Sequence, residues 1–282
     1  MNLPQVSVIC LCYNHEEFVV EAIQSVLNQT YKNIELIVVD DFSLDRSAEI
    51  IMGFIAKNPT IKFLPVTGNL GNCKAFNLGL KMSSGQYIID LSADDVLMPD
   101  RIEKGVKALE ASGKEIGVQF SDAEIIDRQG RRIGFHSDKY PHSGIAQGDV
   151  FKEVLARYFI NSPTMMMRRE VLDKMNGYDE ALAYEDFDFW VRSSRDYKYL
   201  YIPEPLVKRR LLDDSYGKRQ FEKGSAQLTS TYMVCQKALA LSKNKAEYQA
   251  LDKRVRYELR RTLQIGEFEL AKKYFRLWRK IP

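Results

Sequence analysis

Three acidic pairs in this chain, Asp40-Asp41, Asp94-Asp95 and Glu185-Asp186, stand where chemistry could be done. Asp94-Asp95 follows the apolar run Ile88-Ile89-Asp90-Leu91. Mg²⁺ and Mn²⁺ are hard cations that take one or two carboxylates and complete their shells with phosphate oxygens. A pair of this kind can therefore hold a metal against a diphosphate and neutralise the charge that develops as it leaves. It can equally be a solvated turn. In Asp40-Asp41, one carboxylate could accept a hydrogen bond from a base N–H or a ribose hydroxyl, or the pair could cap the next helix together with Ser43. The run Glu185-Asp186-Phe187-Asp188-Phe189-Trp190 joins acids to aromatics. One of these acids could act as a general base on a hydroxyl. The plainer reading, which spacing alone favours, is a first helical turn whose acids complement the macrodipole, with Phe187 and Trp190 in the core.

The elements that would position these acids are legible in the hydrophobic pattern. Val6-Ser7-Val8-Ile9-Cys10-Leu11-Cys12 is a β-prone run of the kind buried on both faces. Asn14 and Glu17 have capping-box spacing, and Val19, Ile23, Val26 and Leu27 follow with helical period. Strands are expected at 34–39, 61–66 and 86–91, alternating with helices through Ile50–Ile55 and through Asn77 and Leu80. Alternation of this kind predicts an α/β fold with a doubly wound, mostly parallel sheet, helices on both faces and a C-terminal helical extension. Such sheets bind ligands beyond the carboxyl ends of their strands, where Tyr13-Asn14, Asp40-Asp41 and Asp94-Asp95 all fall. After residue 115 the pattern predicts strands at 117–121 and 123–134 with a turn at 127–130, a mobile loop over 135–147, and helices near 149–159, 169–175 and 185–194. It also predicts strands at 163–168, 197–202 and 205–212, and only helices from about 220.

Composition narrows the class. With 45% hydrophobic and 28% charged residues in 282, the chain can bury a sizeable core. Its four scattered cysteines, Cys10, Cys12, Cys73 and Cys235, lack zinc-site spacing and read as core thiols in a reducing cytosol. No apolar run approaches the roughly 20 residues of a membrane span. A cytoplasmic protein is expected. His15, His136 and His142 read as turn or loop residues, not ligands. The net charge of +3 hides an uneven distribution: residues 225–282 hold 13 Lys/Arg against 5 Asp/Glu, a net +8, which leaves −5 for the remainder.

In order and register, these segments resemble glycosyltransferase family 2, inverting enzymes with a GT-A fold. The resemblance spans roughly residues 4–215. It is carried by Gln5-Val6-Ser7-Val8-Ile9 with Tyr13-Asn14, Ser25-Val26-Leu27-Asn28-Gln29-Thr30-Tyr31, and Ile34-Glu35-Leu36-Ile37-Val38-Val39-Asp40-Asp41-Phe42-Ser43. Gly68-Asn69-Leu70-Gly71 with Asn77, Gly85-Gln86-Tyr87-Ile88 with Asp94-Asp95, Met98-Pro99-Asp100-Arg101 and Gly177-Tyr178-Asp179-Glu180 continue it, as do the Glu185–Arg192 run and Ile202-Pro203-Glu204-Pro205-Leu206. The resemblance implies transfer of a sugar from a nucleotide-diphosphate donor, foremost a UDP-sugar, to a hydroxyl of a glycan or lipid-linked glycan, with Mn²⁺ or Mg²⁺ as cofactor, in cell-surface polysaccharide synthesis. By the same resemblance Tyr13, Asp41, Lys74 and Asp94 contact the donor, Asp95 ligates the metal, Asp186 is the catalytic base, and Glu185 and Trp190 face the acceptor. Ser92 and Phe76 depart from the family's usual Asp and Arg, with Lys74 the nearest substitute cation. Arg210 stands where a phosphate-contacting His is common. Residues 1–219 form the expected catalytic domain, with donor (1–100) and acceptor (101–219) halves.

The basic extension, 220–282, carries Tyr248, Leu251, Val255, Leu259 and Leu263 at helical spacing, then Leu270, Tyr274, Leu277 and Ile281. These stripes either pack on the domain or on a second copy, or lie on anionic lipid at the inner membrane face with Trp278 at the interface. Nucleic-acid binding is not expected, because no recognition motif accompanies the charge. Two other functions stay open on sequence: a catalytically inactive nucleotide-sugar or glycan-binding module, which the intact Asp41, Asp95 and Asp186 argue against, and a sugar nucleotidyltransferase. The latter would carry a Gly-rich basic loop after the first strand, where this chain has Cys12-Tyr13-Asn14-His15.

Overall fold

The computed structural model of the protein describes residues 3–140, 144–212 and 220–282. Its strands are β1 (Val6–Cys12), β2 (Ile34–Asp40), β3 (Lys62–Pro65), β4 (Tyr87–Ser92), β5 (Val96–Leu97), β6 (Ile116–Ile126), β7 (Arg132–Phe135), β8 (Met166–Arg168) and β9 (Lys198–Arg210). Between and after them come the helices α1 (Val19–Leu27), α2 (Ser47–Ile55), α3 (Asn72–Met82), α4 (Arg101–Glu110), α5 (Phe151–Ala156), α6 (Arg169–Met175), α7 (Asp186–Ser193), α8 (Ala226–Leu241), α9 (Lys245–Gln264) and α10 (Phe268–Trp278). All nine strands join one sheet in the order β3-β2-β1-β4-β8-β6-β9-β5, with β7 hairpinned onto β6. Pairing is parallel from β3 to β4 and between β6 and β9, and antiparallel where β8, β7 and β5 join.

The sheet divides the interior into two cores, which explains why its central strands are apolar on both faces. On one side Val8, Cys10, Ile89 and Leu91 meet α1, α2 and α4 through Ile23, Ile51 and Ile102. On the other Ile9, Leu11, Ile88 and Phe120 meet α3, α5 and α7 through Phe76, Phe151 and Phe187. This second core also takes in Cys235 of α8, Leu251 of α9 and Tyr274 of α10, so the extension packs on the catalytic domain. Lys237 of α8 pairs with both Asp179 and Asp188 at 2.6 Å. Arg254 of α9 lies 4.0 Å from the Tyr158 ring centroid and 5.2 Å from that of Phe187.

Several expectations are corrected. The two pairs of strands expected at 117–134 and 197–212 are instead long continuous strands, β6 and β9, each bent where their register shifts around Asp122 and Pro205. The turn at Asp127–Gly130 closes the β6–β7 hairpin as expected. Asn14 makes no capping box: it sits in the left-handed region at φ 58, and its Oδ1 accepts from the Leu44 N–H at 2.7 Å while Phe18 precedes α1. The 135–147 stretch is not all loop, because residues 136–139 form a 3₁₀ turn that buries His136, whose Nε2 lies 2.8 Å from the Phe159 carbonyl oxygen. Burial lowers the proton affinity of that imidazole, so it is a structural histidine and not a surface one. His142 lies outside the described residues. All four cysteines are free and buried.

Candidate active site

The site forms because β1, β2 and β4 end flush. Cys12 pairs with Asp40, and Leu11 with Ser92. The residues just past these ends, Tyr13, Asp41 and Asp94, are therefore delivered to one edge. Two of the loops are laced together: the Asn14 N–H donates to Ser43 Oγ, and Ser43 Oγ donates to Asp40 Oδ1. Phe42 is held at φ 64, a conformation disfavoured for a bulky side chain that marks locally imposed strain. Tyr13 is 41% exposed and Phe42 and Leu70 also reach solvent, giving an apolar rim around Asp41. The Asp41 carboxylate takes the Leu70 N–H at 2.7 Å on one oxygen and the Gly71 N–H at 2.9 Å on the other. Each oxygen keeps a second lone pair for a ligand. Burial raises its proton affinity and the two amides oppose that.

Asp95 is buried, and its Oδ1 accepts from the Arg210 N–H at 2.8 Å. Burial and the neighbouring Asp94 push its carboxyl well above the ordinary range. Two adjacent acids, one of them desolvated, form a site short of positive charge. Among the described residues no three His, Cys, Asp or Glu side chains gather into a complete metal cage. Asp94 and Asp95 offer only carboxylate oxygens, the donor type that hard divalent cations take.

The second acidic cluster faces this one across the same side of the sheet. Strand alternation puts Ile88 and Asp90 toward α3 and α7, while Ile89 and Leu91 face the other core. Tyr178 Oη donates to Asp90 Oδ2 at 3.1 Å, and Asn77 grips the Tyr178 backbone on both sides. Glu185, just before α7, accepts from Asn72 Nδ2 of α3. Burial raises the proton affinity of Asp90, to about 7, and of both Glu185 and Asp186. Glu185 carries the added repulsion of Asp186 and Asp90, so it keeps its proton to higher pH than an ordinary glutamate does. The Ser162 and Glu185 side chains and the Arg209 charge favour the Asp186 anion against that burial. Its Oδ1 is buried and has no hydrogen-bonding partner. Burial thus raises the proton affinity of all three carboxyls, with mutual repulsion adding most to Glu185 and the Ser162 side chain and Arg209 charge opposing the rise at Asp186.

Other expected residues fall elsewhere. Trp190 is not an acceptor contact but a core ring: it is 3% exposed and lies 5.8 Å from Tyr158 in edge contact. Asp188 is locked between Arg192 and Lys237, each at 2.6 Å, which removes it as a candidate base. Lys74 is exposed on α3 with no hydrogen bond or ion pair among the described residues, and Phe76 stacks on Tyr178 at 4.1 Å. Arg210 does not reach into the site. Its guanidinium turns toward α1, donating to the Asp94, Asp127 and Arg128 carbonyls and to Glu21. Arg209, its neighbour on β9, points to the opposite face, where its charge acts on both Asp95 and Asp186. Sequence reasoning missed Asp90, Tyr178, Asn72, Ser162 and Arg209. Asp90 alone carried a signal, a single acid in phase with Ile88 in an apolar strand. A groove of about 600 Å³ between α1 and β5 is lined by Glu17, Glu21 and Lys208 and contains none of the site residues.

Residues 7–175 match the model of Glycosyl transferase family 2. The chain belongs to this family. An uncharacterized glycosyltransferase of Methanocaldococcus jannaschii is 34% identical over 224 residues, 78% of this chain and 75% of its own. Another, from Haemophilus influenzae, is 34% identical over 217 residues, 74% of this chain and 66% of its own. Among solved structures, S. aureus TarS in complex with UDP-GlcNAc superposes with a TM-score of 0.69 at 17% identity, covering 92% of this chain and 73% of that one. The mannosyltransferase PcManGT from Pyrobaculum calidifontis, in complex with GDP-Man and Mn²⁺, does so with a TM-score of 0.66 at 16% identity, covering 98% and 74%. This glycosyltransferase therefore has the GT-A fold, as its residue pattern implied. No described helix is long and apolar enough to cross a membrane.

Proposed function

We propose that this glycosyltransferase moves a sugar from a nucleotide-diphosphate donor, foremost a UDP-sugar, to a hydroxyl of a glycan or lipid-linked glycan in cell-surface polysaccharide synthesis, with inversion. Tyr13 stacks on the base inside the apolar rim, and Asp41 uses its remaining lone pairs on base or ribose N–H and O–H groups. Asp94 contacts the ribose or sugar. Asp95, with Asp94 beside it, would hold Mn²⁺ or Mg²⁺, which supplies charge neutralisation for the leaving diphosphate. Asp186 accepts the proton of the attacking hydroxyl, and Glu185 hydrogen-bonds a sugar hydroxyl beside it. One base suffices, since a diphosphate leaves as an anion without needing a proton. Attack opposite the leaving group gives inversion.

The observation that carries this reading is the half-buried Asp186 carboxylate, whose inner oxygen has no partner and which feels the Arg209 charge. A carboxylate left in that state is costly unless a ligand completes it, and a substrate hydroxyl does so while being activated. UDP-GlcNAc in TarS and GDP-Man with Mn²⁺ in PcManGT are compatible with the same donor class. The deciding experiment incubates the protein with a panel of UDP-, GDP-, CDP- and TDP-sugars and measures released nucleoside diphosphate, with Mn²⁺ and with EDTA. Release from at least one donor, dependent on the metal, is expected. No release from any donor, with nucleotide still bound, would leave a binding module instead.

A further inference from the structure

The apolar stripes of the extension are not all turned inward. α9 and α10 form an antiparallel hairpin that buries Leu251, Val255, Leu270, Tyr274 and Leu277 against the domain. Its outer side leaves Phe268 at 63%, Leu263 at 49% and Phe275 at 46% exposed, around a groove of about 400 Å³ floored by Leu259 and Ala271. Scattered single hydrophobics on a surface need no explanation, but three large ones around one groove mark an interaction site.

The charges around it are nearly all of one sign. On α10 and just beyond it, Lys272, Lys273, Arg276, Arg279 and Lys280 are exposed, against the single exposed acid Glu269, which pairs with Lys272 at 2.7 Å. A second copy of this chain is a poor occupant. A two-fold interface sets the same patch against itself and would bring Lys272 and Arg276 onto their own counterparts. An anionic bilayer complements both parts of the surface: acyl chains for the Phe and Leu side chains, lipid phosphates for the basic ring. Trp278, the residue on which sequence alone would place such contact, is not available. Its Nε1 donates to Asp252 at 2.7 Å and Arg256 lies over its ring.

We infer that the α9–α10 hairpin docks this enzyme peripherally on anionic phospholipid, with Leu263, Phe268 and Phe275 entering the interface and Lys272, Lys273 and Arg276 on the headgroups. This goes beyond the transfer reaction and does not depend on it.

The test uses the full chain and sedimentation with vesicles of phosphatidylcholine alone or mixed equally with phosphatidylglycerol, at low and high salt. Wild type should partition onto the mixed vesicles and not onto phosphatidylcholine, with binding weakened by salt. Phe268→Ser/Phe275→Ser and Lys272→Glu/Arg276→Glu should each weaken partitioning by about tenfold or more. All four positions are exposed, so the melting temperatures should match wild type, and release of nucleotide from the donor should be unchanged. Wild type that ignores phosphatidylglycerol, or binding retained by both double variants, would overturn the inference. So would light scattering that finds a wild-type dimer dissolved by Phe268→Ser/Phe275→Ser, since the face would then join two copies. Loss of donor chemistry with vesicle binding intact would strike the proposed reaction and leave this inference standing.

Discussion

Asp186→Asn is the most informative change to make in this protein. It keeps the size and shape of a half-buried side chain while abolishing proton acceptance by its carboxylate. General bases contribute about 10²–10⁴-fold, a barrier increase of about 3–5 kcal/mol. That loss should fall on kcat and kcat/KM together, because the proton moves only in the transition state. Fold stability should not fall. Asp186 faces Glu185 and Asp90, and removing one of three mutually repelling acids relieves a cost that burial imposes. The groups facing Asp186 also set a pH signature. Burial raises its proton affinity, and Ser162, Glu185 and Arg209 pull it down, leaving a net upward shift. The acid limb of the wild-type rate profile should therefore lie above the ordinary carboxylate range, and the residual activity of Asp186→Asn should lack that limb. The assay is single-turnover release of nucleoside diphosphate from the donor found in the screen, beside titration of the nucleotide with Mn²⁺. Near-normal transfer would refute the assignment and move the base to Glu185. A folded variant that no longer binds nucleotide would make Asp186 a donor ligand.

The acidic cluster should also govern stability. Asp90, Asp95, Glu185 and Asp186 all bind protons more tightly in the folded chain than an unfolded carboxylate does, so their contribution is present at low pH and is lost as pH rises through the folded values, about 7 for Asp90. The ligand-free protein should melt higher at about pH 5.5 than at about pH 8, and Asp90→Asn should flatten that slope; a higher melting temperature at the alkaline end would contradict it. Asp95→Asn should fold normally but lose the extra stabilisation that Mn²⁺ adds to nucleotide in a thermal-shift assay, whereas an undiminished metal effect would place the ion elsewhere. Gly177→Ala sets a methyl 2.3 Å from Asn77 Oδ1 on a residue at φ +73. It should cost about 2–4 kcal/mol in chemical denaturation, and a near-neutral result would mean that Asn77 does not hold Tyr178 as described.

Much of the donor half could be read directly because local and tertiary preferences agree there. Strands β1, β2 and β4 are apolar on both faces, and the acids at their ends have nowhere to go but the ligand edge. The errors came where a distant contact overrode a local pattern. Asn14 has capping-box spacing, but the Leu44 N–H, 30 residues away in sequence, claims its side chain. Asp122 and Pro203 look like strand ends, yet β6 and β9 run through them by shifting register. That shift also hides which of Arg209 and Arg210 faces the site. Trp190 shares a motif with Glu185 and Asp186, but its ring is buried in the core beside Tyr158. The +8 excess of the extension left packing and lipid contact both open, and Lys237 and Arg254 spend their charge against α7 and its neighbours. In the acceptor half, residues 135–147 carry no motif that sequence could assign to an acceptor.

The closure of α7 from behind bears on how such a chain can be divided and recombined. The family match ends at Met175, eleven residues before Asp186, and the side chains that brace α7 from behind come from positions 237 and 254. A graft of the matched segment alone would leave out Asp186, and one ending near 220 would strip the back of α7, exposing Phe187 and leaving Asp188 with only Arg192. A segment that keeps α7 with its supporting side chains therefore runs at least to Arg254 of α9. Exchanging the C-terminal helices would alter the packing behind Asp186 as well as the outer surface of the α9–α10 hairpin.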